Sequence, residues 1–87
     1  MINLEKYQNA FKETFLVDLN VLPELKYQSI NEWDSVGHMG LMAALEETFE
    51  VEFEIDDIID FSSFNFGKTI MAKYDIEIGW YNGQAKS

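Results

Sequence analysis

From about Asn3 to Val17 apolar residues recur at Leu4, Tyr7, Phe11 and Phe15, with Lys6, Gln8, Lys12 and Glu13 between them. Steps of three and four residues place side chains on one face of an α-helix, whereas a strand needs steps of two. The same rhythm returns from Ser35 to Phe49, where His38, Leu41, Met42, Leu45 and Phe49 share a face. Two such segments commit the chain to a helical architecture, because each apolar stripe must be buried against another element. At 87 residues there is material for one core and no second one.

The remaining elements follow from weaker signals. A short third helix is expected near Asp56 to Phe61. A last helix should begin around Ser63 to Asn65 and continue through Gly67, Ile70, Met71 and Tyr74. The segment Asp18 to Glu32 holds the only proline, Pro23, with Asn20, Ser29 and Asn31. It reads as a long ordered loop, pinned to the core by Leu22, Leu25, Tyr27 and Ile30. The expected fold is therefore all-α: a small four-helix bundle with a long loop between helices 1 and 2. The helical domain is placed at 1–75, followed by a partly flexible C-terminal extension at 76–87. Across that boundary, Asp75 to Tyr81 alternates polar and apolar residues as a strand does. A lone strand has no partner, so this stretch either prolongs the last helix or lies across the core.

Charge narrows the function. There are 16 acids against 6 bases, a formal net charge of −10, which disfavours nucleic acid and anionic membranes. Basic proteins are the matching partners, with an attraction that weakens as salt rises. Cysteine is absent, so neither a disulfide framework nor a thiolate metal site holds the fold. The N-terminal residues lack a basic region followed by an apolar run, and no apolar run approaches the length of a membrane span. The expectation is a soluble, cytoplasmic monomer.

The stretch Trp33-Asp34-Ser35-Val36 lies at the mouth of the second helix. Asp34 can cap the helix, accepting hydrogen bonds from its first amides and complementing the positive end of its dipole. Ser35 then displays a hydroxyl with no complete catalytic apparatus around it, which suits a point of attachment. A second apolar line, Val36, Met39 and Ala43, leads toward Glu46, Glu47 and Glu50. Such a line is either further core or an exposed docking strip with an acidic rim, and methionine suits a surface that meets several partners. Gly37 and Gly40 add to the contrast, since each costs a helix about 1 kcal/mol relative to alanine. They are either tolerated by a well-packed helix or keep its backbone bare so that a loop or a partner can come close.

Two other chemistries are conceivable from the residues. Ser35 and His38, three apart, share a helix face and could form a dyad, but no orienting acid, oxyanion hole or nucleophile elbow accompanies them. Glu52, Glu54, Asp56, Asp57 and Asp60 could bind a divalent cation, but they lack the spacing and closing glutamate of an EF-hand loop. A solvated acidic turn capping the third helix is the simpler reading.

Asp34-Ser35-Val36, followed by Leu41-Met42-Ala43-Ala44-Leu45-Glu46-Glu47-Thr48-Phe49, is similar to the signature of acyl carrier proteins. That family pairs an Asp-Ser-Leu triplet with a helix ending in a Leu-Glu-Glu-x-Phe run. The order of elements agrees over roughly residues 3 to 75. The resemblance implies a four-helix bundle of the acyl-carrier type that is itself not an enzyme. It implies that Ser35 is esterified with 4′-phosphopantetheine by a phosphopantetheinyl transferase, with Asp34 as helix cap and transferase recognition residue. Acyl or aminoacyl groups would ride on the arm as thioesters, placed there by a loading ligase and passed to downstream transferases with basic docking surfaces. The docking residues it implies are Val36, Met39, Gly40, Glu46, Glu47 and Glu50. The chain also departs from the family. Many fatty-acid carriers have acids where Gly37 and Gly40 stand, Trp33 replaces a small residue, and the Gly-Gly-x-Ser pattern of peptidyl carriers is missing. Those departures point to a stand-alone carrier for a specialised pathway, such as surface-glycan or secondary-metabolite assembly. The alternative is an unmodified interaction module on the same fold.

Overall fold

The computed structural model describes residues 2–79. Helix α1 spans Asn3–Phe15, a 3-10 helix Leu19–Glu24, α2 Ser35–Phe49, α3 Ile55–Asp60 and α4 Phe64–Ala72. The all-α expectation therefore holds among the described residues, with one addition: the long loop contains a 3-10 helix around Pro23. No helix among the described residues is long and apolar enough to cross a membrane.

Periodicity explains what each helix buries. Tyr7, Phe11 and Phe15 of α1 are buried, as are Leu41, Met42 and Leu45 of α2 and Ile70 and Met71 of α4. Leu4 and Phe49 are half-buried at the margins of the same faces. The interior is mostly aromatic. Phe11 lies edge-on to Tyr7, Phe64 and Trp33, with ring centroids 5.0, 4.9 and 5.7 Å away. Aromatic rings in edge-to-face contact add to the stabilisation from their buried area. The Tyr7 hydroxyl, deep in this cluster, donates to the Phe64 carbonyl oxygen at 2.7 Å, which joins α1 to the start of α4. Gly67 of α4 makes that approach feasible, since a Cβ there would run into the Phe61 ring and the Tyr7 oxygen.

The loop before α2 is ordered by backbone pairing as well as by apolar anchors. Lys26 and Ser63 form an isolated antiparallel bridge. Tyr27 N–H donates to the Ser62 carbonyl at 2.9 Å and Phe64 N–H to that of Leu25 at 3.0 Å. Leu22 and Leu25 are buried and Ile30 is half-buried, as anticipated. Tyr27 is not a core anchor; it is 38% exposed, with its ring edge-on to His38. The last helix is shorter than expected, ending at Ala72 with Ser63 as its N-cap, whose hydroxyl accepts from Phe66 N–H at 2.9 Å. Beyond it the chain turns through Lys73 to Asp75, whose backbone is left-handed at φ 63°, and then continues without helix or strand to Gly79. Ile76 and Ile78 are buried while Asp75 and Glu77 are exposed, so the packed chain continues past Asp75. The strand-like alternation serves packing across the core without any ladder. Trp80, Tyr81 and the flexible stretch expected after them lie outside the described residues.

One expectation is overturned in α3. Asp57 is no solvated acid: it is buried, and its two carboxylate oxygens accept from Lys73 Nζ and from the Tyr74 hydroxyl, each at 2.5 Å. Tyr74 in turn accepts from Glu54 N–H at 2.8 Å, so the short helix is tied down at its start by the end of α4. No group of three or more metal-ligating side chains arises among the described residues.

Candidate functional site

The turn that carries Ser35 is fixed from three directions. Behind it, Trp33 is completely buried, stacked on Phe15 at 5.1 Å between ring centroids and edge-on to Phe11. Its backbone is held as well: Trp33 N–H donates to the Ile30 carbonyl and Gln28 N–H donates to that of Trp33. Above it, Asp34 caps α2, with Oδ1 accepting from Gly37 N–H at 2.8 Å. Beside it, the loop passes so near that a Cβ on Gly37 would collide with the Glu32 carbonyl oxygen. Ser35 follows as the first residue of α2 and is exposed. A buried indole and a capped helix start thus hold an outward-facing hydroxyl in one place.

His38 does not serve that hydroxyl. An indole N–H can only donate, so the 3.0 Å contact from Trp33 Nε1 makes His38 Nδ1 an acceptor. The proton of the neutral ring then sits on Nε2, which donates to the Ile58 carbonyl oxygen at 2.7 Å. Both nitrogens are committed, and the half-buried ring lies nearly parallel to Trp33 at 14°. The dyad conceived from spacing alone would need a ring nitrogen turned to Ser35, and neither is available in this arrangement.

The second line of α2 lies outside the core. Val36 is 79% and Met39 55% exposed, and Ala43, Gly40, Glu47 and Glu50 are exposed with them. Glu46 differs: it is half-buried and its Oε2 accepts from Phe53 N–H at 2.8 Å, so its carboxylate organises the α2–α3 loop. The two glycines separate in kind. Gly37 is demanded by the Glu32 carbonyl, whereas a Cβ at Gly40 would meet only the Thr14 methyl at 3.9 Å, an ordinary contact.

Three features escaped the sequence reading. Trp33 is an anchor, a role its position inside the polar run Asn31 to Ser35 could have signalled, since a lone large apolar residue there needs a place to be buried. Ile55 and Ile59, each 71% exposed, add apolar surface on α3. Their spacing of four among acids was the available sign. The His38–Ile58 link carried no sign at all, because it joins residues 20 apart through a side chain and a carbonyl. No family model, curated protein or solved structure matches the chain.

Proposed function

We propose that this chain is a stand-alone carrier protein whose Ser35 is esterified with 4′-phosphopantetheine by a separate transferase and then presents acyl or aminoacyl thioesters to partner enzymes. The observation that carries this reading is Ser35 itself: exposed at the first position of α2, on a turn held by Trp33 and Asp34, beside an imidazole engaged elsewhere. A serine hydroxyl without a base is a poor nucleophile, so its activation falls to the modifying enzyme.

The residues present suit the arm. The first amides of a helix have no partner within it and favour an anion. Gly37 N–H is taken by Asp34, which leaves those of Ser35 and Val36 for a phosphodiester. The neighbourhood is open, with Val36 and Met39 largely exposed and no side chain at Gly40. When attached, the arm supplies the thiol that this cysteine-free chain lacks. Val36, Met39, Glu47 and Glu50 then offer an apolar strip with an acidic rim to a basic partner surface. On this reading the protein works as a cytoplasmic monomer in a specialised pathway.

Incubation with a broad-specificity phosphopantetheinyl transferase and coenzyme A tests it. The intact mass should rise by one arm, and Ser35→Ala should abolish the gain. A wild-type chain left unmodified by several transferases would overturn the carrier reading in favour of an unmodified interaction module.

A further inference from the structure

A carrier can keep its cargo in solvent or fold it between its helices, and the difference selects the cargo. An aliphatic chain gains with every methylene it buries, so a carrier that opens its interior favours long acyl groups. One turn along from Ser35, the first turns of α2 meet the last turn of α3 at a seam. That seam is bridged by a side chain, the His38 ring, which accepts from Trp33 Nε1–H and donates to the Ile58 carbonyl oxygen.

We propose that His38 shuts the α2–α3 seam beside Ser35, so that the cargo of an arm on that serine stays outside the helices and is a short or polar acyl group. The inference rests on the carrier reading. Three observations support it. First, the bridge uses both ring nitrogens, so an entering chain would have to displace it and strand two polar groups, the Trp33 N–H and the Ile58 carbonyl. A buried polar group without a partner is costly, and an alkyl chain can satisfy neither. Second, the space behind the bridge is filled by rings. The imidazole lies against Trp33 and, with centroids 6.4 Å apart, edge-on to Phe61, and both of those rings are buried. Third, Trp33 is itself packed in the core against Phe15 and Phe11, so moving it would break those ring contacts as well.

The test is a chain-length series on the full protein, made by transferring acetyl-, hexanoyl- and decanoyl-phosphopantetheine from the corresponding coenzyme A thioesters to Ser35. Burial of the four methylenes that separate hexanoyl from decanoyl would raise Tm by roughly 10 °C or more. The wild type is expected to melt within about 2 °C across the series. The Trp33 indole N–H resonance, which reports its bond to His38, should hold its position throughout.

His38→Ala should open the seam and make Tm climb with chain length. In His38→Gln the side-chain amide can accept from Trp33 and donate to Ile58, so its series should stay flat. A wild-type Tm that climbs with chain length, or a Trp33 resonance that moves with it, overturns the proposal. So does a folded His38→Ala variant whose series is as flat as the wild type. If the alanine variant does not fold, the two wild-type readouts still decide whether cargo stays outside. Failure of every transferase to modify Ser35 overturns the carrier reading and this inference with it. Modification followed by chain-length-dependent melting overturns this inference alone.

Discussion

At Asp57 one buried carboxylate ties α3 to the end of α4, and its protonation behaviour follows from its partners. The hydrogen bonds from Lys73 and then Tyr74 hold its pKa below the ordinary carboxylate value, against the opposing effect of burial. Its contribution to stability is therefore complete above the ordinary value, about 4, and is lost as pH falls through the lowered one. Lys73 is shifted up, chiefly by its hydrogen bond to Asp57. Tyr74 is raised by burial and then by Asp57, and Tyr7 is raised well above the ordinary range by burial. Those groups stabilise the fold below their ordinary values, about 10, and lose that effect as pH rises through the raised ones. Asp57→Asn should cost about 1–3 kcal/mol at neutral pH, with the lower part expected because Lys73 is largely solvated. Urea unfolding from pH 2 to 7 should show the variant converging on wild type at the acid end; a gap that persists at pH 2 would contradict the assignment. The glycines of α2 make a second pair of expectations. Gly40→Ala should raise stability by about 0.5–1 kcal/mol, because nothing but a methyl group lies near the added carbon. Gly37→Ala should lower it by more than that gain, since the Glu32 backbone must move. Thermal melts of the two variants check both signs. If the bare backbone at Gly40 serves a partner, its alanine variant will also load acyl groups more slowly.

At the level of the element, α2 is two surfaces back to back. Leu41, Met42 and Leu45 face the core, while Val36 and Met39 face water. Val36→Asp and Met39→Asp should each leave stability within about 0.5 kcal/mol of wild type, as exposed substitutions do. If the chain is the carrier proposed, transfer of cargo to a partner enzyme should fall in both. Strong unfolding in urea would instead place these side chains in the core. The helix is capped at its C-terminus by Glu50, whose backbone is left-handed with φ 57°. That conformation suits glycine, so Glu50→Gly should stabilise the helix end by about 0.5–1 kcal/mol while removing one exposed acid. A drop in the denaturation midpoint would show that the Glu50 side chain contributes more than its backbone costs. The start of α2 was legible in sequence because Asp34 and Ser35 are a local cap signal. Its register was legible because buried residues recur every three or four positions. The reason for Gly37 was not legible, because the constraint comes from the carbonyl of Glu32, which approaches only once the loop is folded.

For the molecule as a whole, the charge of −10 sits on a fold whose interior is almost entirely apolar. Self-repulsion between surface acids should be relieved as salt is added, raising Tm between about 10 mM and 300 mM sodium chloride, while binding to the basic partner proposed for it should weaken over the same range. Partner affinity that is indifferent to salt would argue for an apolar interface instead. The sequence by itself determined the helical class, the bounds of α2, the buried faces of α1 and α2, and the exposed serine at a capped helix start. All of these are local: periodicity and capping act over a few residues along the chain. Only the tertiary structure decided the rest. It turned Asp57 from a solvated acid into a buried tie, set Trp33 under Ser35, and drew Ile76 and Ile78 onto the core. It also spent both nitrogens of His38 on Trp33 and Ile58. Each depends on groups brought together from different elements once the chain packs, and hydrogen-bond partners and burial belong to that packing.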